Sequence, residues 1–372
     1  MIELFNTFNV ILFTVLGSAS LILIFYWILL FRIKKQIPKK SSFTPPISVI
    51  IAARNEKDNL IKNLPHLLNQ DYLNFEIIVV NNGSFDGSKE ALDAMMLQYS
   101  NLKVVQIELK EQYKKGKKFA LTLGIKAAQH EHLLFTDADC SPVSNQWITS
   151  MANQFEKHDV VVGIAPLRTN NSILGACISY ETFHTANQYI GYTQRNLTYM
   201  GVGRNMGYTK SVFFKNKGFA NHQHIMSGDD DLFIQEVAQF SKVIACTDKQ
   251  ALVYSDGPRS LVSWFKQKIR HLSTGSFYVL KFKFLLGFYA LIQMLWLIGG
   301  VLLFVLFPPL WYVTLSIILI KWFVQWIIMG PFALHIQHKK IAYFLPYYDI
   351  LFTIYLLFFG VIRIFIKPKT WN

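Results

Sequence analysis

HLLFTDADC, residues His132 to Cys140, sets three apolar side chains directly before two carboxylates, Asp137 and Asp139, spaced one residue apart. A short apolar run that stops at acids reads as a buried strand delivering its end to a polar site. Upstream the pattern repeats. Short β-rich runs at Ile47 to Ala52, Phe75 to Val80, Leu102 to Ile107 and His132 to Thr136 alternate with helical stretches near Asp58 to Leu68, Lys89 to Tyr99 and Lys117 to Gln129. That alternation predicts a parallel sheet covered by helices, with the site beyond the C-terminal strand ends. SVIIAARNE (Ser48 to Glu56) and EIIVVNNGSFDGS (Glu76 to Ser88) both end there. Neither contains G-x-G-x-x-G, which argues against a dinucleotide-binding unit.

The chain is 52% hydrophobic and 16% charged, so much of its apolar surface is expected to face lipid. Its formal charge of +14 does not point to nucleic acid, because the positives flank apolar runs: Arg32, Lys34, Lys35, Lys39 and Lys40 after the first, Lys281 and Lys283 before the second. Anionic headgroups are the expected partner. Cys140, Cys177 and Cys246 form no close pair, which indicates neither a disulfide framework nor a zinc cluster and places the catalytic part in a reducing compartment.

Val10 to Phe31 is predominantly apolar. As a helix it reaches about 33 Å, against a hydrocarbon core of about 30 Å. Its basic flank follows rather than precedes it, so it reads as an uncleaved anchor with a cytoplasmic C-terminal end. Phe284 to Phe307 and Leu310 to Met329, broken by Pro308 and Pro309, form a membrane hairpin whose open ends carry Lys281/Lys283 and His338/Lys339/Lys340. The last run, Tyr343 to Phe365, either spans or lies in the interface: Pro346, Asp349 and Arg363 interrupt it, and Lys367 and Lys369 follow it. Lys321, inside the third run, is either an interhelical or snorkelling lysine or a functional group on an aqueous path. Residues 1–46 are thus anchor and basic linker, 47–277 a catalytic domain and 278–372 a membrane region.

Asp-x-Asp at a strand end suits Mg²⁺ or Mn²⁺, which bind oxygen and leave positions for phosphate and water. The implied ligand is a diphosphate. Asn82 and Asp86 are placed to hydrogen-bond a base and ribose. The basic cluster Lys114, Lys115, Lys117 and Lys118 precedes a helix to which Lys117 or Lys118 would bring charge for phosphate. His222 and His224 have no partner spacing and read as surface histidines.

In order, AARNE, VVNNGSFDG, KGKKFALT, DAD, SGDDD and QKIRH resemble the motif series of membrane-anchored family 2 glycosyltransferases, over most of Ile47 to Gly275. The resemblance implies an α/β GT-A fold, a Rossmann-like nucleotide-diphospho-sugar transferase domain, with N-terminal and C-terminal transmembrane helices. It also implies a nucleotide-diphosphate sugar donor and inverting displacement at the anomeric carbon. Carried over residue by residue, Ala53, Asn55, Glu56, Asn82, Asp86, Lys117, Lys118, Asp137, Gln267 and Arg270 would face the donor. Asp137 and Asp139 would hold the metal. Asp229 would be the base, with Asp230 the alternative. Arg204 and Asn205 of YMGVGRNMGY, and His271, would lie on the acceptor side. Trp264 and Phe265 would enter the membrane interface and Lys266 and Lys268 would contact headgroups.

Asn81 and Asn82 replace the family's acidic pair, which weakens base recognition but leaves a UDP-sugar favoured. Thr122 replaces an asparagine. His271 replaces a tryptophan that holds the terminal sugar in chain-building synthases, so one transfer to a lipid or lipid-linked acceptor at the cytoplasmic face of a bacterial membrane is expected over processive polysaccharide synthesis. A non-catalytic scaffold is the third reading. A transporter fits poorly with few spans and no internal repeat.

Overall fold

In a computed structural model the described residues are 2–31, 33–36, 43–108, 116–225 and 227–365, with side chains from residue 5 to residue 362 of that set. They fall into two compact units: Lys34–Asn170 with Tyr192–Thr274, and a helical unit of the N-terminal helix, Asn171–Gly191 and residues 275–365.

The first unit contains ten short strands: β1 Ile47–Ala53, β2 Phe75–Asn82, β3 Leu102–Ile107, β4 His132–Phe135, β5 Cys140–Pro142, β6 Val160–Val162, β7 Leu167–Arg168, β8 Met206–Thr209, β9 Val243–Ala245 and β10 Val253–Asp256. Seven form one sheet in the order β3-β2-β1-β4-β8-β6-β9. Neighbours among β1 to β4 are parallel, β8 runs antiparallel to both β4 and β6, and β5-β10-β7 form a second sheet. The alternating reading holds closely through β4, with helices at Lys57–Leu68, Ser88–Met96 and Lys117–Ala127 between the strands. Ile47, Val49, Ile51, Ile77, Val79 and Leu134 are fully or almost fully buried in the core beneath the sheet. The helix Lys117–Ala127 packs on this sheet through Gly124, where an added Cβ would come within 2.7 Å of Ile50 Cγ2 and 3.0 Å of Val80 Cγ2.

Within HLLFTDADC, β4 belongs to the large sheet and β5 begins in the small one, and Asp137 and Asp139 occupy the link between them. A chain leaving one sheet for another exposes its polar residues at the rim, while Leu133, Leu134 and Phe135 stay buried.

The helical unit contains four helices long and apolar enough to cross a bilayer: Phe5–Leu30, Leu280–Leu306, Pro308–His335 and Leu345–Ile362. The last run therefore has the length of a span. Its Asp349 is not an interruption at the surface: it is buried and paired with the equally buried Lys321, and Gln325 Nε2 donates to its other oxygen at 2.9 Å. Lys321 is thus an interhelical lysine. Of the basic flanks, Arg32, Lys39, Lys40, Lys367 and Lys369 lie outside the described residues, as does the side chain of Arg363.

The domain boundaries differ from the expected 1–46, 47–277 and 278–372 at both ends and in the middle. Lys34 N donates to Gln194 Oε1 at 2.8 Å and Gln36 N to Thr247 Oγ1 at 2.9 Å, tying the linker into the sheet unit. The helix Ile173–Thr193 groups with the apolar helices because its polar residues find partners there: His184 Nε2 lies 2.8 Å from Tyr289 Oη, and Gln325 Nε2 donates to Tyr180 Oη at 3.3 Å.

Candidate active site

Four chain segments meet beyond β4. The helix beginning at Lys117 supplies an ammonium 2.7 Å from Asp137 Oδ1 and 3.4 Å from Asp229 Oδ2. Burial pulls the Lys117 ammonium down, but Asp137 and Asp229 outweigh it and hold it above the usual lysine range. The segment leading into β8, antiparallel beside β4, brings Gly203 and Arg204 to the same place. Gly203 N donates to Asp230 Oδ2 at 3.0 Å, and a Cβ on Gly203 would come 3.6 Å from Lys117 Nζ. Arg204 Nη1 donates to Ser255 Oγ at 2.6 Å, and its charge acts on Asp139.

The acidic triplet divides its work. Asp230 caps the short helix Asp231–Val237, its Oδ1 accepting from Asp231 N at 2.8 Å, and with Gly203 on Oδ2 both oxygens are engaged. Asp229 is buried and keeps Lys117 as its ionic neighbour. Burial pushes its carboxyl above the usual range, and Asp230 and Asp137 add to this against the opposing Lys117. A carboxylate so tuned can take a proton nearer neutral pH.

Asp139 accepts from Cys140 Sγ at 3.3 Å, a weak donor. Burial, then the charge of Asp137, push Asp139 above the usual carboxylate range. Among the described residues no group of three or more His, Cys, Asp or Glu side chains surrounds a metal position. The two carboxylates are an oxygen-only donor set whose mutual repulsion a divalent cation would relieve, so they fit a hard ion that completes its shell with phosphate and water.

At the ends of β1 and β2, Asn55 takes a left-handed backbone (φ 55°), and its Oδ1 accepts from Phe85 N at 3.1 Å while its own N donates to Ser84 Oγ at 2.9 Å. Asp86 accepts from Lys57 N and from Ser88 N and Oγ. It therefore braces the turn between the two strand ends. Glu56 is pushed up by burial, against Asn59 and with Asp139, Asp137 and Asp86 adding to the rise, so it shares the field of the carboxylate cluster. Ala53 and Asn82 are buried at the last residues of β1 and β2. Asn81 buries its amide oxygen with no hydrogen-bond partner among the described residues.

Several expected residues lie elsewhere. Among the described residues Lys118 makes no ion pair with the acids: its Nζ donates to His222 O at 2.6 Å and Ile225 O at 3.0 Å, a structural brace, and burial pulls it down to about 8 against the charges of Asp229, Asp231, Asp230 and Glu236. Asn205 is fully buried, its amide spent on Trp147 Nε1, Ile164 O and Ala251 O, which removes it from an acceptor side. His222 is not a surface residue; it is buried with Nδ1 3.3 Å from Glu236 Oε1. On the helix Leu261–Thr274, Trp264 and Lys268 are buried, against the expected interface and headgroup contacts, while Gln267 is half-buried and Arg270 and His271 are exposed. Neither Gln267 nor Arg270 hydrogen-bonds or ion-pairs with the carboxylates among the described residues. Lys114 and Lys115 lie outside the described residues. Ser255, which holds Arg204, carries no sequence signal, because its role arises from β10 lying beside β5.

The Glycosyl transferase family 2 profile matches residues 48–215. Glycosyltransferase GlyG of Streptococcus pneumoniae serotype 4 is 34% identical over 119 residues, 32% of this chain and 38% of that protein. Poly-beta-1,6-N-acetyl-D-glucosamine synthase of Staphylococcus epidermidis is 25% identical over 237 residues, 62% of this chain and 54% of that one. The chain thus spans between about a third and about half the length of these relatives. Among solved structures, the mannosyltransferase PcManGT of Pyrobaculum calidifontis, in complex with GDP-Man and Mn²⁺, superposes with a TM-score of 0.57 at 18% identity, covering 91% of this chain and 99% of that one. The mixed sheet is GT-A-like, and residues 48–215 match the glycosyl transferase family 2 profile.

Proposed function

We propose that the chain is an inverting, metal-dependent glycosyltransferase that moves one sugar from a nucleotide-diphosphate sugar, a UDP-sugar first among them, to a lipid or lipid-linked hydroxyl at the cytoplasmic face of a membrane. The observation that carries the reading is Asp137, Asp139 and Asp229 gathered around Lys117, with Asp229 buried and its carboxyl pushed up. Asp137 and Asp139 would hold Mg²⁺ or Mn²⁺, in keeping with the Mn²⁺ of the mannosyltransferase neighbour. When bound, that ion supplies charge neutralisation to the departing diphosphate.

The chain's own residues do the rest. Asp229 accepts the proton of the acceptor hydroxyl as its oxygen attacks the anomeric carbon from the face opposite the diphosphate. The carbon–oxygen bond to the diphosphate breaks, and the electron pair leaves with the nucleoside diphosphate. Lys117 balances Asp229 before the reaction and lies within reach of phosphate once the donor enters. Arg204 lines the acceptor side, held by Ser255. Asn55, Glu56, Asn82 and Asp86 form the rim for the nucleoside, and Arg270, exposed on its helix, is free to close on the diphosphate. The sheet unit, residues 34–170 and 192–274, is the catalytic part under this reading, and the four apolar helices are the membrane part.

A processive synthase is the second reading, favoured by the match to the poly-N-acetylglucosamine synthase over 62% of this chain. The two separate on product length. The experiment is turnover of a nucleotide-sugar panel by the purified chain in native lipid extract, with Mg²⁺ or Mn²⁺ against chelator, reading nucleotide release and glycolipid mass together. One sugar-shifted lipid supports single transfer, and a ladder supports synthesis. Metal-independent release, or none from folded protein, overturns the proposal.

A further inference from the structure

The helix that carries Lys117 borders a second concavity, of about 320 Å³, closed on its other side by the segment from Phe213 to Gln223. Its apolar lining is aromatic. Phe213 and Phe219 are buried beneath it, Phe119 is half-buried, and Phe214 leaves 47% of its surface exposed. Its charged lining is basic, Lys118 on the inside and Lys126 and Lys217 at the rim, with Thr122 and Gln223 as neutral polar neighbours and no carboxylate among the described residues that line it. Neither Lys126 nor Lys217 has an ion-pair partner among the described residues. Lys117, one residue from Lys118, is saturated by acids. Lys126 and Lys217, exposed and without an ion-pair partner among the described residues, set this concavity apart from the candidate active site, although the charge of Asp229 reaches Lys118.

The rim is built in an uncommon backbone. Lys217 and Gly218 are both left-handed, at φ 57° and 61°. A Cβ on Gly218 would come 2.8 Å from Phe213 Cζ, so the loop is shaped closely around that ring. The turn caps the C-terminal end of the helix Lys210–Lys215, with Lys217 N donating to Phe214 O at 2.9 Å and Gly218 N to Phe213 O at 2.8 Å, and it fixes Lys217 at the rim.

We propose that this concavity binds a small phosphate monoester carrying a flat apolar body. At about 30 Å³ per non-hydrogen group its volume takes about ten such groups, near the lower limit of ligand pockets. Exposed and half-buried phenyl rings favour an offset or edge-on aromatic partner. Two unpaired ammonium groups beside a third match a dianion better than a carboxylate. Lys118 pins the wall through His222 O and also bonds Ile225 O, four residues before Asp229. Occupancy therefore bears on the candidate base, a coupling that rests on the proposed function, whereas the binding itself does not.

The test is calorimetric titration of the full chain, in nanodiscs of zwitterionic lipid, with phenyl phosphate, inorganic phosphate and phenol, all in chelator. Phenyl phosphate should bind at least about tenfold more tightly than either fragment. Lys126→Ala with Lys217→Ala, both exposed positions, should weaken it by about tenfold or more, and Asp139→Asn should leave it unchanged. Equal binding in the double lysine variant, or loss in Asp139→Asn, would place the ligand elsewhere and overturn the proposal. So would no binding at concentrations on the order of 1 mM.

Discussion

The ammonium of Lys117 lies 2.7 Å from Asp137 Oδ1 and joins the start of a helix to the end of β4. The same nitrogen is 3.4 Å from Asp229 Oδ2, so one cation serves two carboxylates that would otherwise repel each other. Lys117 thereby offsets part of the negative charge that Asp137 and Asp229 bring to the rim of the sheet.

Separable losses follow from this arrangement. Asp139→Asn should abolish metal-dependent nucleotide-sugar binding in titration calorimetry. Asp229→Asn should bind donor as before but transfer about 10²–10⁴-fold more slowly, the usual contribution of a positioned base. Full activity in both variants would refute the site.

The raised carboxyl of Asp229 sets the pH response. A base works when deprotonated, so kcat should fall as pH drops through that raised value, above the usual carboxylate range. Lys117 lowers the Asp229 carboxyl, so Lys117→Met should move this acid limb to higher pH. A kcat profile of the two proteins checks the sign; an unmoved or downward-shifted limb would exclude Asp229 as the titrating base.

Glu76 supplies a stability test away from the site. Burial pushes its carboxyl up, but Lys103 at 2.7 Å, Ser48 Oγ at 2.6 Å and Gln129 N at 2.7 Å outweigh burial and leave it below the usual range. A depressed carboxyl stabilises the fold above its unfolded value, and that contribution is lost as pH falls through the folded one. Glu76→Gln should cost about 1–3 kcal/mol at neutral pH and progressively less in acid, measured by denaturant unfolding at a pH series.

In the helical unit, Lys321→Met alone leaves Asp349 buried without its cation and should destabilise by about 3–5 kcal/mol. Replacing both, Lys321→Met with Asp349→Leu, should restore most of the loss. Thermal unfolding in detergent distinguishes this from an aqueous-path lysine, for which activity rather than stability would change.

Gly124→Ala tests the helix seat. A Cβ 2.7 Å from Ile50 Cγ2 must displace β1 or the helix, at about 1–3 kcal/mol. Because that helix carries Lys117, the same variant should shift the pH profile; a loss of stability with an unchanged profile would mean the helix start does not move with its seat.

The sequence by itself determined what depends on local periodicity and composition: β1 to β4 and the helices between them, the four apolar runs, and the position of Asp137 and Asp139 at a strand end. Those features need only a chain's neighbours, since burial follows period two in strands and the length of an apolar run in a bilayer. Tertiary structure decided which of two adjacent lysines serves the site. Successive residues of a helix do not share a face, so Lys117 meets Asp137 and Asp229 while Lys118 braces two carbonyls. It also decided that Asn205 belongs to the core, that the helix Ile173–Thr193 joins the apolar helices, and that Asp349 answers Lys321. Each of these is a pairing of residues far apart in the chain, and such pairings exist only once hydrogen-bonding and charged groups leave water and must find one another inside the fold.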